Sequence, residues 1–141
     1  PIDQILEVAR RYPTLKIILP HMGVSRLWDN AELGELNSLK KVLSILEYNE
    51  NVYFDCSGIP MLAMRAGQDY PWPIMQDVLK TAKKMGAINR VMWGSDMPTV
   101  FKACTYKQHL DCVVKYSYFL SDNELENILG RTAELVWFDN K

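Results

Sequence analysis

The chain has 141 residues, of which 48% are hydrophobic and 23% charged. This balance suits one globular domain and excludes intrinsic disorder and collagen-like architecture. The formal net charge of -1 shows no basic nucleic-acid footprint, and no apolar run approaches the ~18–20 residues that span a bilayer. The first residue is Pro1, with no signal-peptide pattern, which predicts a chain that lost an N-terminal segment or was cut from a longer one. The three cysteines, Cys56, Cys104 and Cys112, form no CxxC pair. Such usage argues against a disulfide framework and for the cytoplasm. Histidine occurs only at His21 and His109, so a His-rich metal site would need ligands from outside the chain.

Ile2, Ile5, Leu6 and Ala9 recur at helical spacing, and Pro13 stops that helix. Lys16-Ile17-Ile18-Leu19 is a short continuous apolar run, the mark of a strand buried on both faces of a parallel sheet. It ends in Pro20-His21-Met22-Gly23, read as a loop. Leu36, Leu39, Leu43 and Leu46 form one stripe of an amphipathic helix. Val52-Tyr53-Phe54 is a second strand, ending in Asp55-Cys56-Ser57-Gly58. Residues 59–73 read as irregular and mobile because Gly67, Pro71 and Pro73 interrupt them. Ile74, Val78, Leu79 and Ala82 predict a helix closed by Gly86. Val91-Met92-Trp93 is the third strand, ending in Gly94-Ser95-Asp96-Met97-Pro98, and a helix follows from about Thr105 to Leu120. Ser121 and Glu124 make a capping box. Gly130 is expected to interrupt that helix, and Thr132 to cap a last short one.

The strands start 36 and 39 residues apart. That spacing predicts βα units, right-handed crossovers and a parallel sheet. Ligands in such folds bind outside the carboxyl ends of the strands. His21 and Asp96 both stand there, on different units, so folding can bring them together.

Lys16–Gly23, Asn51–Ser57 and Arg90–Pro98, in this order and spacing, resemble the amidohydrolase-related family of metal-dependent hydrolases and decarboxylases. The tail Ile128-Leu129-Gly130-Arg131-Thr132-Ala133-Glu134-Leu135 is similar to that family's closing helix. The resemblance implies a (β/α)₈ barrel, with these strands as its sixth to eighth, so residues 1–141 form one partial domain, the C-terminal half. It implies that Asp96 is a metal ligand or proton shuttle and that His21 orients or deprotonates the metal-bound water. The cofactor implied is a divalent metal, zinc foremost. The family's H-x-H on the first strand and its fifth-strand histidine have no counterpart here, and Thr132 stands where the family usually has Asn.

The chemistry supports these roles independently. A catalytic zinc takes three protein ligands and leaves one position for water. Imidazole changes charge near neutral pH, and a carboxylate is held ionised beside a cation. Two residues do not complete such a site.

Other candidates weigh differently. Asp55 and Ser57 read as turn or pocket-wall residues rather than chemical ones. Cys56 reads as a small buried hydrophobe. His109 reads as a surface or interhelical residue. Trp72 and Trp93 read as core or loop anchors. Arg26 and Arg65 are solvated by default, but either can pair with a substrate carboxylate.

The expected function is that of a C-terminal fragment of a hydrolase or non-oxidative decarboxylase of small organic acids, esters or amides. A small open α/β binding module without catalysis is the alternative. Expected partners are a small-molecule substrate and either a second copy or the missing N-terminal half, because open sheet edges invite pairing. Neither nucleic acid nor membrane is expected.

Overall fold

The computed structural model describes residues 2–24 and 36–138. Arg26 therefore lies outside the described residues. Helix α1 (Ile2–Arg11) leads into strand β1 (Ile17–Leu19) and a 3₁₀ turn at Pro20–Gly23. Helix α2 (Asn37–Leu43) tightens into a 3₁₀ turn at Ser44–Glu47 before strand β2 (Val52–Asp55). Helices α3 (Ile59–Arg65) and α4 (Pro73–Lys84) precede strand β3 (Val91–Met92). A 3₁₀ turn at Thr99–Lys102, α5 (Tyr106–Val114), α6 (Asp122–Glu126), a π turn at Asn127–Arg131 and α7 (Thr132–Trp137) complete the order.

The described strands form one parallel sheet in the order β1-β2-β3. Ile17 pairs with Val52, Leu19 with Phe54, and Phe54 with Val91. Alternation then separates two faces. Ile17, Leu19, Val52, Phe54 and Val91 pack into the main core with the helices. Ile18, Tyr53 and Met92 turn the other way and meet Val136 and Ala133 of α7. Both faces are covered, which is why the strands read as continuous apolar runs. No described helix is long and apolar enough to cross a membrane.

Several sequence expectations need correction. Residues 59–73 are not an irregular loop, because α3 occupies Ile59–Arg65 and buries Ile59, Pro60, Met61 and Ala63. Pro60 sits in its first turn, where the missing N–H costs nothing. The helix expected to reach Leu120 ends at Val114. It starts from a capping box in which Thr105 and Gln108 satisfy each other's backbone. Gly130 does not break the last helix; the chain passes through it as a π turn. That turn frees the Ile128 carbonyl to accept the Trp93 N–H at 2.7 Å, beside the end of β3. Thr132 is no cap. It is helical and buried, and its hydroxyl faces the Asn89 carbonyl at 3.4 Å.

Candidate active site

The three strands deliver their ends to one place. After β1 the chain enters the left-handed region at His21 (φ 55) and Met22 (φ 57). Side chains rarely adopt that conformation, and its cost is met only where surrounding contacts over-determine it. Here Met22 is fully buried, and the His21 N–H donates to Asp55 Oδ1 at 3.0 Å. Asp96, after β3, is also left-handed (φ 52).

Asp55 is the hub of the cluster. Its Oδ1 also accepts the Ser57 N–H at 3.1 Å and the Ser57 hydroxyl. Ser57 Oγ lies 2.8 Å from His21 Nδ1. A hydroxyl has one proton, and the carboxylate can only accept. Ser57 therefore donates to Asp55, and His21 Nδ1–H donates to Ser57. This chain of bonds fixes the tautomer and leaves Nε2 as the unprotonated nitrogen, the form a general base needs.

Two glycines make the cluster possible. Gly58 is left-handed (φ 68), and a Cβ there would stand 2.5 Å from His21 Nδ1. Only glycine fits this approach. Gly94 packs its backbone against the same group, where a Cβ would meet that of Ser57 at 3.2 Å. The loop that carries Asp96 is thereby seated on the loop that carries Asp55 and Ser57.

His21 and Asp96 line one cavity of about 230 Å³. Val24 and Thr99 contribute to its wall, and one stripe of α3 supplies the rest through Gly58, Met61, Leu62 and Arg65. Asp96 is half-buried, and its side chain caps no helix; the turn after Pro98 has no side-chain cap. Its backbone carbonyl accepts the Val100 N–H at 2.9 Å, so Asp96 joins the following turn through the main chain and not through its carboxylate.

The remaining candidates fall elsewhere. Burial pushes the Cys56 thiol up to about 12, which suits an inert core residue. Trp72 is buried in the core, and Trp93 packs edge-on to Tyr106. His109 is not a surface residue: it is fully buried, its ring 5.3 Å from that of Trp93. Neither of its nitrogens has a hydrogen-bond partner of good geometry. Burial holds its imidazole below the ordinary value, against the backbones of Ser95 and Cys56 and the charge of Asp96, which favour the cation. Asp55 and Ser57 are the residues whose part the sequence reading missed. The signal available was an Asp-x-Ser directly after a strand, at the same level as His21.

Residues 2–138 match the family model described as amidohydrolase. The chain belongs to the amidohydrolase family. An amidohydrolase from Burkholderia multivorans, solved with bound HEPES, is 21% identical with a TM-score of 0.76. The Burkholderia multivorans amidohydrolase solved with bound zinc is 20% identical with a TM-score of 0.77. A probable 2-pyrone-4,6-dicarboxylic acid hydrolase from Acinetobacter baumannii, solved with citric acid, is 23% identical with a TM-score of 0.70. At these identities the likeness shows a shared fold. Each alignment covers 96% of this chain and 48% of the other, so the chain spans about half the length of the structures it matches. No curated protein matches it.

An amidohydrolase metal does not fit this chain alone. Among the described residues no three His, Cys, Asp or Glu side chains converge. His21 commits Nδ1 to Ser57, which leaves Nε2 and the Asp96 carboxylate as the donors facing the cavity.

Proposed function

We propose that the chain is the C-terminal half of an amidohydrolase (β/α)₈ barrel, with β1, β2 and β3 as its sixth, seventh and eighth strands. In this reading it supplies half of the active site of a hydrolase for small organic acids, esters or amides. The observation that carries it is the Asp55–Ser57–His21 chain of hydrogen bonds, set beside Asp96 at the carboxyl ends of parallel strands. Asp96 would be one ligand of a divalent metal, zinc foremost, completed by ligands from the other half of the barrel. That metal would supply Lewis acidity when bound.

The residues of this chain move the proton. His21 Nε2 takes a proton from the attacking water as its oxygen bonds to the substrate carbonyl carbon. The positive charge that develops stays on the ring and is stabilised through Nδ1–H by Ser57 and the Asp55 carboxylate behind it, which hold the imidazole in place. When the leaving group departs with the bonding pair, the imidazolium returns the proton to it. Asp55 and Ser57 are positioning residues; His21 touches the reacting atoms.

The test is turnover of a panel of small esters, lactones and amides by the complete protein. His21→Ala and Asp96→Asn should each lower kcat by about 10²–10⁴-fold, the usual yield of acid–base catalysis. Unchanged turnover in both variants, or no turnover by the parent with zinc or manganese present, favours a binding module.

We also place the protein in the cytoplasm, as three free, buried cysteines suit a reducing compartment. Among the described residues β1 pairs with β2 alone, so its other edge is available to the complementary half-barrel or a second copy. Sedimentation at micromolar concentration should show a complex; a stable monomer contradicts that association.

A further inference from the structure

One cation in the cavity has no work in the fold. The described residues include five arginines: Arg10, Arg11, Arg65, Arg90 and Arg131. Arg10 and Arg11 sit over the rings of Tyr48 and Tyr12. Arg90 bonds the Tyr53 hydroxyl, and Arg131 pairs with Glu126. Arg65 alone makes no hydrogen bond, ion pair or ring contact with any described residue. It is exposed, yet it is not scattered surface charge, because it lines the cavity that contains His21 and Asp96.

The position follows from the helix. Gly58, Met61, Leu62 and Arg65 have the spacing i, i+3, i+4, i+7, which places them on one face of α3. That face begins at the residue pressed against the His21 ring and ends at the guanidinium. Seven residues of α-helix rise about 10 Å. The stripe thus runs from the reacting imidazole, along two apolar side chains, to a free fork of donors. Arg65 also makes no ion pair with Asp96 across the cavity, so neither charge cancels the other.

We propose that Arg65 is the carboxylate-recognising residue of this cavity, and that the substrate is a small organic acid. Its carboxylate pairs with the guanidinium while its hydrolysable bond lies against His21. A planar guanidinium matches a carboxylate with two parallel hydrogen bonds. Met61 and Leu62 accept the apolar body that joins the two ends of the ligand. This assignment rests on the hydrolytic reading above and names the substrate class for the same site.

The experiment titrates the complete protein with benzoate and with its neutral counterpart benzamide, in low and high salt, by calorimetry. Benzoate should bind more tightly than benzamide and weaken as salt rises. Arg65→Ala should weaken benzoate by about tenfold, the scale of a lost charge-assisted bond, and leave benzamide unchanged. Arg65→Lys should recover part of the loss, and Lys102→Ala, an exposed lysine on the neighbouring turn, should change neither. Equal binding of benzoate and benzamide, no saturable benzoate binding at millimolar concentration, or benzoate binding unaffected by Arg65→Ala overturns the assignment. Turnover of the ester panel by His21→Ala keeps the two claims apart. Loss of turnover in His21→Ala with benzoate binding intact in Arg65→Ala sinks the Arg65 role and leaves the hydrolase. Retained turnover with the benzoate effect intact sinks the hydrolase and leaves Arg65 as an anion site.

Discussion

The two ends of the sheet are built by opposite rules. At the amino ends of the strands the key polar groups have partners. Asn49 is buried and donates to the carbonyls of Tyr12 and Leu15 at 3.1 and 2.9 Å, while its oxygen accepts the Asn51 N–H at 2.7 Å. Lys16 reaches the Val136 carbonyl at 2.7 Å, and Arg90 the Tyr53 hydroxyl at 3.0 Å. At the carboxyl ends His21, Met22 and Asp96 hold left-handed backbones; among the described residues Arg65 makes no polar contact, and the His109 ring nitrogens and the Trp93 indole nitrogen are buried without a hydrogen bond of good geometry. One end spends its polar groups on tying the chain together. The other keeps strain and unsatisfied groups, which fold stability alone does not reward. Under the barrel reading proposed above, stability sits at the bottom of the sheet and chemistry at the top.

Substitutions can break this comparison. The largest stability effect is expected at Asn49. Asn49→Ala removes the three hydrogen bonds that tie the Tyr12–Leu15 turn to the start of β2 and should cost about 2–3 kcal/mol in denaturant unfolding, with turnover per folded molecule unchanged. Gly58→Ala comes next. Left-handed backbone costs a side chain about 1–2 kcal/mol, and the new Cβ must displace the His21 ring, so stability and turnover should fall together.

His109 gives a pH signature. Its folded value is lowered by burial, so the unfolded chain takes the proton first as pH falls. Stability should therefore be full above about pH 6.5 and decline below it, by at most about 1.4 kcal/mol per pH unit. His109→Phe should flatten that slope in urea titrations at several pH values; an unchanged slope assigns the decline to other groups. The smallest effect is expected away from both ends. Ser121→Ala removes the capping box of α6 and should cost about 1 kcal/mol in thermal unfolding, with no change in kcat.

How much of this was legible follows from how local each signal is. The strands declared themselves as apolar runs, and His21 and Asp96 were legible because each directly follows one. Asp55 and Ser57 looked like turn formers because their bonds to His21 join residues 34 and 36 positions apart, and no short window of sequence contains them. Helix α3 was hidden because Gly67, Pro71 and Pro73 made the whole of 59–73 read as irregular, although all three lie beyond the helix end at Arg65. His109 and Cys112 share one face of α5, but its spacing does not say that the face is sealed beneath the loops that follow the strands.

The central claim is that reactivity and stability occupy opposite ends of one sheet. The most direct test measures the folded fraction and turnover side by side in His21→Gln and Asn49→Ala. The account predicts a crossed result: His21→Gln keeps its unfolding midpoint and loses turnover about a hundredfold or more, while Asn49→Ala loses stability and keeps turnover per folded molecule. Parallel losses in both variants, or full turnover in His21→Gln, would contradict it.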